Sequence, residues 1–189
     1  ALSCSAATVI SLPETVCELG NSAFSACSQL REIALPDNIS EIPEYAFSNC
    51  LQLQELTLPK GVVSIGDFAF RGCSSLQSLA LPSSLTQIGT AAFERCSLLR
   101  SANLPSAIET IEAMVFFNFT SLEELTLPDH VRSLGYMALG NCTSLQAITL
   151  PASLQTMDTY ALTGCSGLKA IEVAAENRSY RSLDGVLYS

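Results

Sequence analysis

The sequence predicts a solenoid of about seven 23-residue coils stacked in register, with short parallel strands along one side. Three observations predict it. Seven of the eight prolines, Pro13, Pro36, Pro59, Pro82, Pro105, Pro128 and Pro151, are spaced by 23 residues, and each follows a leucine. The same interval carries two further columns: Cys4, Cys27, Cys50, Cys73, Cys96, Cys142 and Cys165, broken at Phe119, and Phe24, Phe47, Phe70, Phe93 and Phe116, continued by Leu139 and Leu162. The 189 residues are 48 % hydrophobic and 14 % charged, enough apolar material for a continuous core and too little charge for disorder. Self-similarity at this period marks stacked supersecondary units, none of which buries its apolar face alone.

One coil shows how each part forms. In LQLQELTLPKGVVSIGDFAFRGC, which begins at Leu51, Leu56 and Leu58 alternate with Glu55 and Thr57, the period of a strand with one buried face. Pro59 lacks the N–H a ladder needs, so it closes the strand and opens the turn Pro59-Lys60-Gly61. Ile65 then belongs to the apolar column Ile42, Ile65, Ile88, Ile111, Leu134 and Met157. The segment 66–71 is long enough for one or two helical turns. Asn49, Gly72, Asn118, Asn141 and Gly164, each just before the cysteine-column position, suit the left-handed conformation that ends a helix. Ala26 and Arg95 do not, so those two corners are expected to close differently. The conformational entropy of ordering one coil exceeds what its own apolar side chains return, so the coils must stack.

The unit LxxLxLPxxVxxIGxxAFxxCxxL, nearly intact from Leu53 to Leu76, resembles the BspA-like class of leucine-rich repeats. The resemblance spans about residues 1–173 and implies a leucine-rich repeat solenoid: short parallel strands on the concave face, turns and one-turn helices on the other side. Residues 1–12 form a partial first repeat, 13–173 the repeats proper, and 174–189 a hairpin-like extension in which Asp184-Gly185, between apolar runs, reads as the turn. The resemblance further implies a secreted or cell-surface protein engaged in adhesion and protein binding, with no catalytic residues and no cofactor. A reduced cysteine row would suit the cytosol equally.

Composition narrows the chemistry. With 18 Asp and Glu against 9 Lys and Arg, a net charge of −9 and no cationic run, nucleic acid and anionic membrane surfaces are excluded as main partners. No apolar stretch reaches the roughly 20 residues of a membrane-spanning helix, so membrane insertion is not expected. The one histidine, His130, falls at a turn position held elsewhere by Asn38, Gly61, Ser84, Ala107 and Ser153. Cys17, the cysteine outside the column, lies nearly five coils from it, about 23 Å along the axis, so the two cannot form a dyad. No phosphate-binding loop, nucleophile elbow or zinc motif occurs, and we assign no catalytic, cofactor-binding or metal-binding residues. Cysteines in a row cannot converge tetrahedrally on an ion. Their strand spacing of about 4.8 Å exceeds the ~3.8 Å between disulfide Cβ atoms, so the column is expected to be buried thiols. Cys17 shares a mostly polar column with Ser40, Val63, Thr86, Glu109, Arg132 and Gln155, which predicts an exposed thiol. Of four glycosylation sequons, at Asn38, Asn118, Asn141 and Asn177, two sit where the corner itself calls for Asn.

A partner-binding face is expected at the outward strand positions: Glu32 and Ala34, Glu55 and Thr57, Ser78 and Ala80, Ser101 and Asn103, Glu124 and Thr126, Ala147 and Thr149. They form a smooth, mildly acidic surface without aromatic anchors, open to a protein or an extended glycan. A second candidate is an apolar patch of Met114, Phe117 and Phe119. The competing reading there is that Phe119, bulkier than Cys, reshapes the corner and tucks Phe117 under the next coil. The functional reading is a non-catalytic protein-binding or adhesion module. The alternatives are a structural subunit with neighbouring subunits at its solenoid ends, or a non-catalytic accessory region of a larger surface enzyme.

Overall fold

The computed structural model describes residues 6–183 and 186–188. Its coils carry two rows of parallel strands. Along one side run β1 (Val9–Ser11), β2 (Glu32–Ala34), β4 (Glu55–Thr57), β6 (Ser78–Ala80), β8 (Ser101–Asn103), β10 (Glu124–Thr126), β12 (Ala147–Leu150) and β14 (Ala170–Val173). After each proline turn from Pro36 onward a shorter strand follows: β3 (Glu41–Ile42), β5 (Ser64–Ile65), β7 (Gln87–Ile88), β9 (Thr110–Ile111), β11 (Ser133–Leu134) and β13 (Thr156–Met157). The first row is paired in the groups β1–β2, β4–β6 and β8–β10–β12–β14, the second in β3–β5–β7 and β9–β11–β13. Pairing is parallel and offset by one repeat, as in Glu55 with Ser78, Leu56 with Leu79 and Thr57 with Ala80. The chain ends in an antiparallel hairpin of β15 (Arg181–Leu183) and β16 (Val186–Tyr188), whose connecting Asp184-Gly185 lies outside the described residues.

Each proline accepts a turn-closing hydrogen bond at its carbonyl from the amide three residues on, as Val62 to Pro59 at 3.1 Å and Leu85 to Pro82 at 3.0 Å. The imide nitrogen ends the strand and the carbonyl anchors the turn. Gly66 and Gly89 follow the short strands because coils touch there: a Cβ on Gly66 would lie 2.7 Å from the Glu44 nitrogen.

The third side differs from expectation. No helix forms among the described residues, at 66–71 or at the equivalent positions. Two residues in each corner up to Met137 and Asn141 have positive φ, Tyr45 (56°) and Asn49 (59°) in one coil, Phe68 (56°) and Gly72 (73°) in the next, and the last corner has Gly164 alone. Alternate amides therefore point along the solenoid axis. Those of Phe68, Phe70 and Gly72 donate to the carbonyls of Thr90, Ala92 and Glu94 at 2.9, 2.7 and 2.7 Å. The amides between them, Ala69 and Arg71, close tight turns onto Gly66 and Phe68. A helix would spend all these donors within the coil, whereas this alternation joins coils along a third edge. Ala26 (58°) and Arg95 (63°) adopt the same left-handed conformation as Asn49, which corrects the expectation that their corners differ. Their amides donate to Ser48 and Phe117 at 2.7 and 2.8 Å, and these bonds offset the roughly 1 kcal/mol a side chain costs at positive φ.

Inside, like residues stack. Phe24, Phe47, Phe70 and Phe93 lie nearly parallel, with centroids 5.3–5.4 Å apart. The row stretches to 6.2 Å between Phe93 and Phe116. There Phe119, fully buried, packs edge-on against Phe116 at 5.2 Å and 75°. Ala102 stands where other coils place Leu or Ile, and both Ala102 and Phe119 line one small hollow of about 10 Å³. The large ring occupies volume that the small residue leaves.

Candidate functional site

The strand ladder fixes which side chains face out. In β2, β4 and β10 the middle residue is buried and both flanking residues are exposed. All twelve residues of the expected face, from Glu32 and Ala34 to Ala147 and Thr149, are exposed, and those of β4 and β6, and of β8, β10 and β12, pair in register. The structure gathers some of them into hollows. Glu32, Ala34, Glu55 and Thr57 line a cavity of about 670 Å³ with Arg31, Asp37 and Lys60. Asn103 and Thr126 share a second, of about 420 Å³, with Asp129 and His130. Ser78, Ala80, Ser101, Glu124, Ala147 and Thr149 line neither.

Arg31 and Lys60 change the character of the face. Neither forms an ion pair among the described residues, so the first hollow sets two free cations among three carboxylates. Outward strand positions alone could not reveal them, because Arg31 precedes its strand and Lys60 lies in the proline turn. Sequence reasoning also missed a groove of about 860 Å³ on the short-strand side, lined by Glu41, Ser64, Gln87 and Thr110 with Asp67, Thr90 and Glu112. A signal existed: the residue before the Ile65 column is polar in every coil from Glu41 to Thr156.

The apolar patch is reduced. Phe119 belongs to the core and contributes no surface. Phe117 is half-buried, and a Cβ on Gly140 would lie 2.8 Å from its ring, so Phe117 packs on the coil that follows. Met114 is half-buried at one of the positive-φ positions.

Cys50, Cys73, Cys96 and Cys142 are buried free thiols. Each donates to the carbonyl 26 residues earlier, as Cys50 to Phe24 at 3.1 Å and Cys96 to Phe70 at 3.2 Å. Burial pushes the Cys50 thiol from 9.0 up to about 12 and raises Cys73 and Cys96 as well. Cys142 is held up by its hydrogen bond with Cys165 and by burial, and the same bond lowers Cys165. Cys27 departs from the expected row of thiols, being disulfide-bonded. Disulfides span Cα separations of roughly 4.4–6.8 Å, so strand spacing does not forbid them. Cys4 lies outside the described residues. Cys17 is exposed, its thiol 3.4 Å from the Thr15 carbonyl. Among the described residues, no three His, Cys, Asp or Glu side chains are grouped to hold a metal ion.

Comparison with known proteins agrees with the stacked columns, the offset-by-one-repeat pairing and the proline turns. Residues 2–118 and 93–182 match the BspA type leucine rich repeat region, in six copies. The chain belongs to this family. Among solved structures, a leucine rich repeat protein of T. pallidum is 26 % identical with a TM-score of 0.79, covering 85 % of this chain and 78 % of that one. A leucine-rich repeat protein from Bacteroides ovatus is 28 % identical with a TM-score of 0.64, covering 90 % of this chain and 56 % of its own. The BspA-type chain thus spans little more than half the length of that relative. A leucine rich cell surface protein from Faecalibacterium prausnitzii shares the fold at 23 % identity and a TM-score of 0.65, covering 91 % of this chain and 61 % of that one. No curated protein matches the chain.

Proposed function

We propose that this BspA-type solenoid is a non-catalytic protein-binding module that receives its partner on the strand face, centred on the hollow of Arg31, Glu32, Glu55 and Lys60. One observation carries the reading. Among the described residues, two cations without ion-pair partners and three carboxylates stand together, exposed, on β2, on β4 and on the residues and turns flanking them, with β2 hydrogen-bonded to β1 and β4 to β6. Such an array is arranged before any partner arrives, so little ordering entropy is lost on binding, and its mixed charges select a partner of complementary pattern. The reading includes a place at the cell surface, supported by the family and by the F. prausnitzii relative, described as a cell surface protein. Among the described residues no helix is long and apolar enough to cross a membrane.

The test is quantitative. Proteins retained by the immobilised chain are identified, purified and titrated against the parent, Glu55→Lys, Glu124→Lys and, on the other ladder, Glu41→Lys. We expect Glu55→Lys to weaken binding about tenfold or more, Glu124→Lys to weaken it less, and Glu41→Lys to leave it unchanged. Binding that ignores both strand-face substitutions would overturn the proposal.

A further inference from the structure

The C-terminal extension, whose hairpin packs against β14, contains a further polar cleft that shares no residue with the hollow proposed above. Asn177 builds it. This side chain is 8 % exposed. Its Nδ2 donates to the carbonyls of Pro151 and Leu154 at 2.7 and 3.1 Å. Its Oδ1 accepts from the amides of Ser179 and Tyr180, both at 2.8 Å. These bonds fasten the extension to the last coils and fix the turn that carries Arg178 and Ser179. They also occupy the amide nitrogen that a glycan at this sequon would need. The chain then runs through β15 and returns in β16, which sets Arg181 directly opposite Tyr188.

Arg178, Ser179, Arg181 and Tyr188 line one cavity of about 380 Å³. Among the described residues no carboxylate lines it and neither arginine forms an ion pair, in a chain with twice as many acidic as basic residues. Two guanidinium groups thus share a cleft that holds no counter-charge among the described residues. Guanidinium forks match oxyanions bidentately, and a tetrahedral oxyanion has enough oxygens to serve two forks and a hydroxyl together, where a planar carboxylate satisfies one fork. Tyr188, 53 % exposed, adds an aromatic surface to the same cavity. The volume lies in the range of small-ligand sites, roughly 300–1,000 Å³.

We propose that this cleft binds a sulfate or phosphate ester carried on a sugar, with Arg178, Arg181 and Ser179 taking the oxyanion and Tyr188 lying against the sugar ring. The experiment is calorimetric titration of the full chain with glucose 6-sulfate, glucose 6-phosphate, glucose and inorganic sulfate. It is repeated on Arg178→Gln, Arg181→Gln and Tyr188→Leu, with far-ultraviolet circular dichroism confirming that each variant folds. Both esters should bind and glucose should not. Each arginine substitution should weaken ester binding about tenfold or more, and Tyr188→Leu about threefold. Which ester binds more tightly tells sulfate from phosphate. Esters that bind no better than glucose, or affinities unchanged in the arginine variants, overturn the site. Inorganic sulfate binding as tightly as the sugar ester overturns the role given to the sugar. Glu55→Lys should leave ester binding intact, which separates this result from the fate of the strand-face proposal.

Discussion

Phe119 and Ala102 offer a direct test of how the core tolerates a broken column. Neighbouring coils pair Leu79 with Cys96 and Leu125 with Cys142, at the sequence offset that here joins Ala102 to Phe119. Phe119→Cys alone removes roughly 80 Å³ of buried ring, which at about 24 cal/mol per Å³ costs ~2 kcal/mol for the cavity and about 3–4 kcal/mol with the lost transfer energy. Ala102→Leu alone pushes three carbons toward a hollow of only about 10 Å³, bounded by Leu79, Leu99, Phe116 and Phe119. Overpacking of this kind costs about 1–3 kcal/mol. The double variant recreates the Leu–Cys combination of the adjacent coils, and we expect it to fall within about 1 kcal/mol of the parent, a coupling of at least ~2 kcal/mol. Urea unfolding followed by circular dichroism measures all four chains, and an unchanged m-value shows that stability alone has moved. Additive effects, with coupling below about 0.5 kcal/mol, would mean that the ring does not occupy the volume Ala102 leaves.

Two further outcomes follow from contacts between coils. Gly89→Ala would place a Cβ 2.6 Å from the Asp67 nitrogen, whereas at Gly20 nothing lies within 4 Å. Thermal unfolding should show Gly89→Ala destabilised by about 1–3 kcal/mol and Gly20→Ala unchanged or slightly stabilised. A neutral Gly89→Ala would contradict the close approach. The second concerns pH. The folded-state value for Cys50 is raised, so the folded chain holds a proton that the unfolded chain releases above pH 9.0. Its contribution to stability is complete below pH 9.0 and is lost as pH rises toward about 12, at up to ~1.4 kcal/mol per pH unit. Cys50→Ala should show a shallower alkaline decline in urea-derived stability, and coincident slopes would refute this.

The columns of Leu, Ile, Phe and Pro were legible because stacking requires like residues at one interval, and the strands because Leu56 and Leu58 alternate with polar neighbours. The corners were not. Tyr45, Phe68, Met114 and Met137 all hold positive φ, yet none is a residue type that signals it. A local reading of 66–71 counts intrahelical partners for those amides, but carbonyls in the next coil compete for them, and that competition is invisible within one repeat. The same limit applies to the surface. Alternation along a strand exposed Glu55 and Thr57 to view, while Arg31 and Lys60 reach the hollow from a flanking residue and a turn, placed there by coil geometry.

Pairing of the long strands, pairing of the short strands and the alternating corner amides together join neighbouring coils, although strand pairing lapses between β2 and β4, β6 and β8, and β7 and β9, and they leave a coil few ways to shift against its neighbour. With spacing fixed, what distinguishes one stretch of the strand face from another is the identity of outward side chains. Along this face that identity is uneven. Charge and hollow depth concentrate around β2 and β4, where Arg31, Glu32, Asp37, Glu55 and Lys60 converge, whereas β12 presents Ala147 and Thr149. A partner that exploits electrostatic complementarity therefore gains most over the first coils and only shape over the later ones. Substitutions at Glu32 or Glu55 should accordingly change association rates and their salt dependence, while substitutions at Ala147 should act, if at all, through packing.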